Sequence, residues 1–214
     1  MIRQATTQDL PAIVHVHRVC FANSYSSQLS YYQSVIGGGD LLISFYLEYM
    51  KDNPELFVVA DDEEKGIVGF CMGYYMDKDD QMQNFLHNNR IKVIWKTMLL
   101  MLAGNKPTWN KVLARFKHRP SVSDWVIVND KYEQILNSQR GDLFSVCVLP
   151  DCRGKGYAQD MMEKFLAAMK ERGRRLCLLS VETNNLRARR YYERNGFELY
   201  RKRGGEGLTY MKLL

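Results

Sequence analysis

Two almost wholly apolar runs flanking one amphipathic helix, in the last third of the chain, restrict the fold more than any other feature. Leu143 to Leu149 is nearly continuously apolar and ends at Pro150, and Leu176 to Val181 is a second such run. Between them Ala158, Met161, Met162, Phe165, Leu166 and Met169 recur at the steps of one helix face, and Gly173 ends the pattern. Strands apolar along their whole length are covered on both faces, and two of them joined through a helix pair in parallel with a right-handed crossover. A strand, helix, strand unit is therefore expected at the centre of a sheet.

The remaining periodicities extend that sheet. Ile2 to Ala5 reads as a short strand, and Thr6 with Asp9 as a helix start followed by Leu10, Ile13, Val14, His17 and Phe21 at helical spacing. Residues 22 to 40 are polar, rich in Ser and Gly, and irregular, and Leu41 to Lys51 reads as a second helix before Pro54. Leu56 to Ala60 and Ile67 to Tyr75, separated by an acidic turn, predict an antiparallel hairpin. Leu186 to Asn195 predicts a last helix stopped by Gly196, and Phe197 to Arg201 with Leu208 to Leu213 a closing hairpin around Gly204 and Gly205. The expected class is a mixed α/β (α+β) fold: one domain over residues 1–214, with a twisted sheet, part antiparallel and part parallel, flanked by helices. Its 46% hydrophobic content supports a sizeable core and excludes a disordered or collagen-like chain.

Residues 77 to 140 break the alternation of strands and helices. Residues 81 to 120 hold eight Lys and Arg and no acid, yet Ile91, Ile94, Trp95, Met98, Leu99 and Leu102 keep a helical stripe. A shorter stripe, Trp109, Val112, Leu113 and Phe116, follows Gly104 and Pro107. The segment reads as a basic helical hairpin inserted between strands, too short for a core of its own. A lid over an acceptor site, a dimer contact and a peripheral membrane contact are its three readings, and the lid or interface is favoured because the stripes call for burial. Ile91 to Ala103, interrupted by Lys92 and Lys96, is too short to span a bilayer. The net charge of +6 sits entirely in residues 141 to 214, which points to an anionic partner. Cys20, Cys71, Cys147, Cys152 and Cys177 lack ligand-like spacing, and with no signal-type apolar run at the N-terminus they read as reduced thiols of a cytoplasmic protein. His15 and His17 lie on different sides of a helix, so no metal site is expected.

The chemistry concentrates between the first apolar strand and the Met-rich helix, in Arg153, Gly154, Lys155, Gly156, Tyr157 and Ala158. A strand that ends in a glycine-rich turn and opens a helix presents unpaired N–H groups toward one point, where the helix dipole favours an anion. Neither the Gly-Lys-Ser/Thr ending of a P-loop nor the three-glycine spacing of a dinucleotide fold is present.

Arg153-x-x-Gly156-x-Ala158 after an apolar strand resembles the acetyl-CoA signature of the GNAT superfamily of N-acyltransferases. Asn185-x-x-Ala188-x-x-x-Tyr192-x-x-x-Gly196-Phe197 is similar to the later helix and strand of that family; the motif-level likeness covers residues 142 to 200. The resemblance implies acetyl transfer from acetyl-CoA, as co-substrate and without metal, to a primary amine by direct attack in a ternary complex. It assigns the pyrophosphate to Gly154, Lys155, Gly156, Tyr157 and Ala158 with Arg153, and the pantetheine arm to the backbone of Val146 to Val148, in the splay between two parallel strands. The N–H of Val146 matches the position that polarises the thioester carbonyl, and Tyr192 the tyrosine that protonates the departing thiolate. Asn185 is a CoA contact or a helix cap. Asp142 falls where some members place a catalytic carboxylate; Glu182, His17 and water are the other candidates for the base. Arg187, Arg190 and Arg194 form a basic face that meets the CoA 3′-phosphate or solvent.

The layout of the second helix and the insertion looks like members found with polysaccharide biosynthesis enzymes, which implies an amino sugar or sugar nucleotide as acceptor. Protein or peptide N-termini, polyamines, aminoglycosides and a non-catalytic CoA-binding module are the alternatives. Nucleic acid is not expected as a partner, and a homodimer stays open.

Overall fold

The structure, a computed structural model, describes residues 1–22, 24, 26–27, 40–75, 81–117, 125–131, 139–203 and 207–214. Eight strands form one sheet: β1 (Ile2–Gln4), β2 (Phe57–Asp62), β3 (Gly66–Tyr75), β4 (Trp125–Ile127), β5 (Arg140–Val148), β6 (Leu176–Glu182), β7 (Glu198–Arg203) and β8 (Gly207–Leu213). They lie in the order β1-β2-β3-β5-β6-β8-β7-β4. The central pair, β5 with β6, is parallel, and every other pair is antiparallel. The expected mixed sheet and both hairpins are therefore present, although the tip of the last one, residues 204–206, lies outside the described residues.

Helices cover both faces. On one, α1 (Leu10–Cys20) and α2 (Leu41–Asp52) pack Ile13, Val14, Tyr46 and Met50 against Phe57, Val59, Phe70 and Met72. On the other, the helix of the central crossover packs Met161, Met162, Phe165 and Met169 against Val58, Ala60, Leu143 and Leu179. The alternation along β2 shows the rule at work: Phe57 and Val59 point to one layer, Val58 and Ala60 to the other, and all four are buried. That two-sided burial is why the central strands read as continuous apolar runs. Asp40 starts α2 by accepting the Leu42 N–H at 2.9 Å, a cap worth about 1 kcal/mol.

The insertion departs from expectation in two ways. Its helices, α3 (Gln81–Leu102) and α4 (Lys106–Lys117), are present, but the apolar stripe expected to be buried faces solvent: Ile91 is 83% exposed, Trp95 51% and Leu102 77%. The opposite side of α3 is buried instead, with Phe85 and Leu100 against Leu41 and Phe45 of α2, and Lys96 on the same side. A helix with apolar residues on several sides leaves periodicity unable to choose the inward one. The insertion also supplies a strand, since β4 pairs with β7, Trp125 opposite Arg203, and forms a sheet edge. Three residues are too few for a period-two signal. Much of residues 22–40 and 118–138 lies outside the described residues.

Candidate functional site

The site begins where two strands part. β5 and β6 are paired in parallel from Arg140 opposite Leu176 to Leu143 opposite Leu179, while β5 runs on to Val148. Its other edge stays paired with β3 as far as Val148 opposite Gly69, and the Leu149 N–H donates to the Val68 carbonyl at 2.8 Å. Backbone groups alternate in direction along a strand, so the N–H and C=O groups of Val146 and Val148 face away from β3, into the splay. The Val148 carbonyl confirms the direction: it accepts from Arg153 Nε at 3.0 Å and from Cys20 Sγ at 3.4 Å, neither of which belongs to the sheet.

Below the splay the chain makes a 3-10 turn, Pro150–Cys152, and passes through two left-handed glycines, Gly154 (φ 83) and Gly156 (φ 88). A side chain in that conformation costs about 1–2 kcal/mol, so glycine is required by the turn itself. From Gly156 helix α5 (Tyr157–Glu171) departs, with the N–H groups of Gln159 and Asp160 returning to the Gly156 carbonyl. The N–H groups of Tyr157 and Ala158, which a first turn cannot pair internally, remain to meet a ligand. The Tyr157 hydroxyl donates to Asp62 at 2.5 Å and fixes this turn against the end of β2.

Splay and turn open into one cavity of about 690 Å³, within the range of small-molecule sites. Its walls include Val146, Val148, Arg153, Gly154, Gly156, Tyr157, Ala158, Asn185 and Tyr192, which brings nine of the expected residues together. Lys155, exposed in the turn, is not on the wall. Helix α6 (Leu186–Arg194) supplies the facing wall. Asn185 caps it by accepting the Ala188 N–H at 3.1 Å, so this residue both starts the helix and lines the cavity. Arg187 and Arg194 reach the cavity, whereas Arg190 borders a shallower one beside it.

Tyr192 is buried at the cavity wall, its ring 5.9 Å from Phe197, and burial pushes its phenol pKa up, so the hydroxyl holds its proton at neutral pH. The neighbouring Tyr191 hydroxyl donates to the Ala158 carbonyl at 2.7 Å and ties α6 to the first turn of α5. The acid and base candidates fare differently. Asp142 is buried in β5 with both carboxylate oxygens taken by Arg140, at 2.8 and 2.7 Å, and is not on the cavity wall. Glu182 is exposed at the end of β6, also away from the wall. His17 is buried in α1, Nδ1 against the Tyr46 hydroxyl and Nε2 3.1 Å from Ser26 Oγ; burial and the adjacent Arg18 lower its pKa to about 4, which keeps it neutral.

Sequence reasoning missed two features. Cys20 and Cys147 line the cavity with their thiols in contact; the hydrogen bond from Cys147, aided by the charges of Arg153 and Arg187, lowers the Cys20 pKa to about 7 despite burial. Two residues before Val146, β5 bulges at Phe144, and Phe144, 45% exposed, joins Phe45, Tyr49 and Tyr74 in an aromatic cluster. Nothing local to Cys20 or Phe45 signals either meeting.

Comparison with known proteins places this geometry. Residues 120–197 match the model of the acetyltransferase (GNAT) family. An uncharacterized N-acetyltransferase of Archaeoglobus fulgidus is 42% identical over 52 residues, 24% of this chain and 35% of that protein. The chain thus spans about a third of the length of the curated relative it matches. The crystal structure of SsHAT superposes with a TM-score of 0.59 at 22% identity, over 100% of this chain and 97% of that one. The paia N-acetyltransferase of Thermoplasma acidophilum, solved in complex with coenzyme A, superposes with a TM-score of 0.55 at 13% identity, over 100% and 98%. The two structural likenesses show a shared fold, and the likeness to the acetyltransferase (GNAT) family is carried by residues 120–197.

Proposed function

We propose that the chain is an acetyl-CoA-dependent N-acetyltransferase that acts in a ternary complex on a primary amine of a small molecule, an amino sugar or sugar nucleotide. The observation that carries the reading is the continuity of one cavity from the two left-handed glycines to the edge of β5 at Val146 and Val148, beyond its pairing with β6, and on to Tyr192. The residues fit the donor along its length. Gly154, Gly156, Tyr157 and Ala158 offer backbone N–H groups to a pyrophosphate, with Arg153, Arg187 and Arg194 as counter-charge and Lys155 adding a more distant charge. Val146 and Val148 offer a strand edge to the amides of a pantetheine arm.

Acetyl-CoA supplies a thioester whose acetyl carbon the amine attacks, the C–N bond forming as the C–S bond breaks. The Val146 N–H is assigned to the carbonyl oxygen, where one such donor is worth about 3 kcal/mol. Tyr192 gives its proton to the departing sulfur. The proton of the attacking amine passes to water through the open cavity. Asp142, one of the candidates to take it, is assigned a positioning role instead, because Arg140 occupies both of its oxygens. The aromatic cluster around Phe144 borders the acceptor side, and its rings suit the apolar face of a sugar.

A thiol-release assay with acetyl-CoA across amino sugars, sugar nucleotides, polyamines, aminoglycosides and peptide N-termini tests the proposal. Transfer to the first two classes is expected, with Tyr192→Phe lowering kcat about 10²-fold at near-constant KM. Absence of both transfer and any acetyl-CoA-induced rise in melting temperature would refute it. Asp142→Asn is expected to leave the pH dependence of kcat unaltered.

A further inference from the structure

We propose that the outward face of α3 and α4 docks this protein on an anionic lipid surface. Ile91, Ile94, Trp95, Met98 and Leu102 follow one another at three- and four-residue steps, and each is between 41% and 83% exposed. By the helical period this stripe lies opposite the side that Phe85, Lys96 and Leu100 pack inward, so the monomer's own core cannot cover it. α4 extends the same face: the Trp109 indole N–H donates to the Met101 carbonyl at 2.9 Å, and Trp109 and Leu113 are 38% and 44% exposed. Contiguous exposed apolar side chains on this scale mark an interaction surface.

Charge selects the occupant. Arg90 and Lys92 are exposed and flank the stripe on either side of Ile91, Lys106 and Lys111 are exposed on α4, and residues 81 to 120 contain no acid. A second copy docked through this face about a two-fold axis would set those four cations against four more, with no carboxylate of residues 81 to 120 between them. An anionic membrane meets both requirements at once. Its acyl boundary takes Ile94, Met98 and Leu102, its headgroup layer suits the indoles of Trp95 and Trp109, and its phosphates meet the four cations. No helix among the described residues is long and apolar enough to cross a bilayer, so the contact is one of lying on the surface.

Co-sedimentation with phosphatidylcholine vesicles, with and without phosphatidylglycerol, tests this on the full chain. Binding is expected only with phosphatidylglycerol, with a blue shift of tryptophan emission and weakening as salt rises. Each cation at an anionic surface strengthens partition about fivefold, so R90E together with K92E should weaken it at least about 25-fold. I94S together with W95S should abolish it. All four positions are exposed, and unchanged thermal melts of both variants would show that the fold is kept. Equal binding to neutral vesicles, no binding at all, or a dimer in sedimentation velocity that I94S with W95S dissociates would each overturn the proposal.

Discussion

Lowering the pH should destabilise this protein through one histidine. His17 is 8% exposed, enclosed by Tyr46, Ser26 and the Phe21 ring, which lies 5.0 Å away. Burial lowers its pKa from 6.5 to about 4, the charge of Arg18 adds to the effect, and Asp40 opposes it. Below about pH 6.5 the unfolded chain therefore binds a proton that the folded chain refuses until about pH 4, and stability falls as pH falls through that window. Each pH unit of the gap corresponds to about 1.4 kcal/mol, so close to 2.5 kcal/mol, as an order of magnitude, is lost by pH 4.5. Urea unfolding followed by circular dichroism, near pH 7.5 and pH 4.5, measures the loss. The Gln of His17→Gln cannot ionise, so this variant should lose about 2.5 kcal/mol less than the natural chain over that interval, contributions from all other groups being shared. Equal losses in the two proteins would show that the imidazole is not held neutral by its surroundings.

Cys20 should react with iodoacetamide with a midpoint near pH 7, slowed by saturating acetyl-CoA and absent in Cys20→Ser; a midpoint at the ordinary thiol value would contradict the lowering by Cys147 and by the charges of Arg153 and Arg187. Gly156→Ala forces a left-handed alanine and should cost about 1–2 kcal/mol of stability while shrinking the acetyl-CoA-induced rise in melting temperature, and an unchanged thermal melt would deny the strain. Lys96 is 3% exposed, and its ammonium has no hydrogen-bond partner among the described residues. Lys96→Met keeps the volume and removes the buried charge, so it should stabilise the fold by about 1–2 kcal/mol in urea titrations; a loss of stability instead would place an unseen partner at Lys96.

These tests fall on residues of unequal legibility, and the difference is physical. The cavity's donor side comes from one short segment. A strand covered on both faces is largely apolar, a turn through two left-handed residues favours glycine, and a helix face against the sheet repeats at helical steps, so Leu143 to Met169 announces its strand, turn and helix, though not the bulge at Phe144. Even the direction of the Val146 and Val148 N–H groups follows from strand parity once the Leu149 to Val68 bond is known. The insertion is different in kind. With Phe85 and Leu100 on one side of α3 and Ile91, Trp95 and Leu102 on another, its inward face is chosen by α2, which lies far away in the chain. Asp142 has its partner Arg140 two residues away on the same strand, but the sequence does not show that the guanidinium closes on both carboxylate oxygens. Cys20 reaches a carbonyl 128 residues on, and the cluster of Phe45, Tyr49, Tyr74 and Phe144 draws on three separate elements. A donor shared across a family can be bound by backbone geometry, which local sequence encodes, whereas an acceptor is distinguished by side chains gathered from distant segments. For that reason the proposed donor site could be read from one motif, while contacts such as Phe45 with Phe144 arise only in the folded chain.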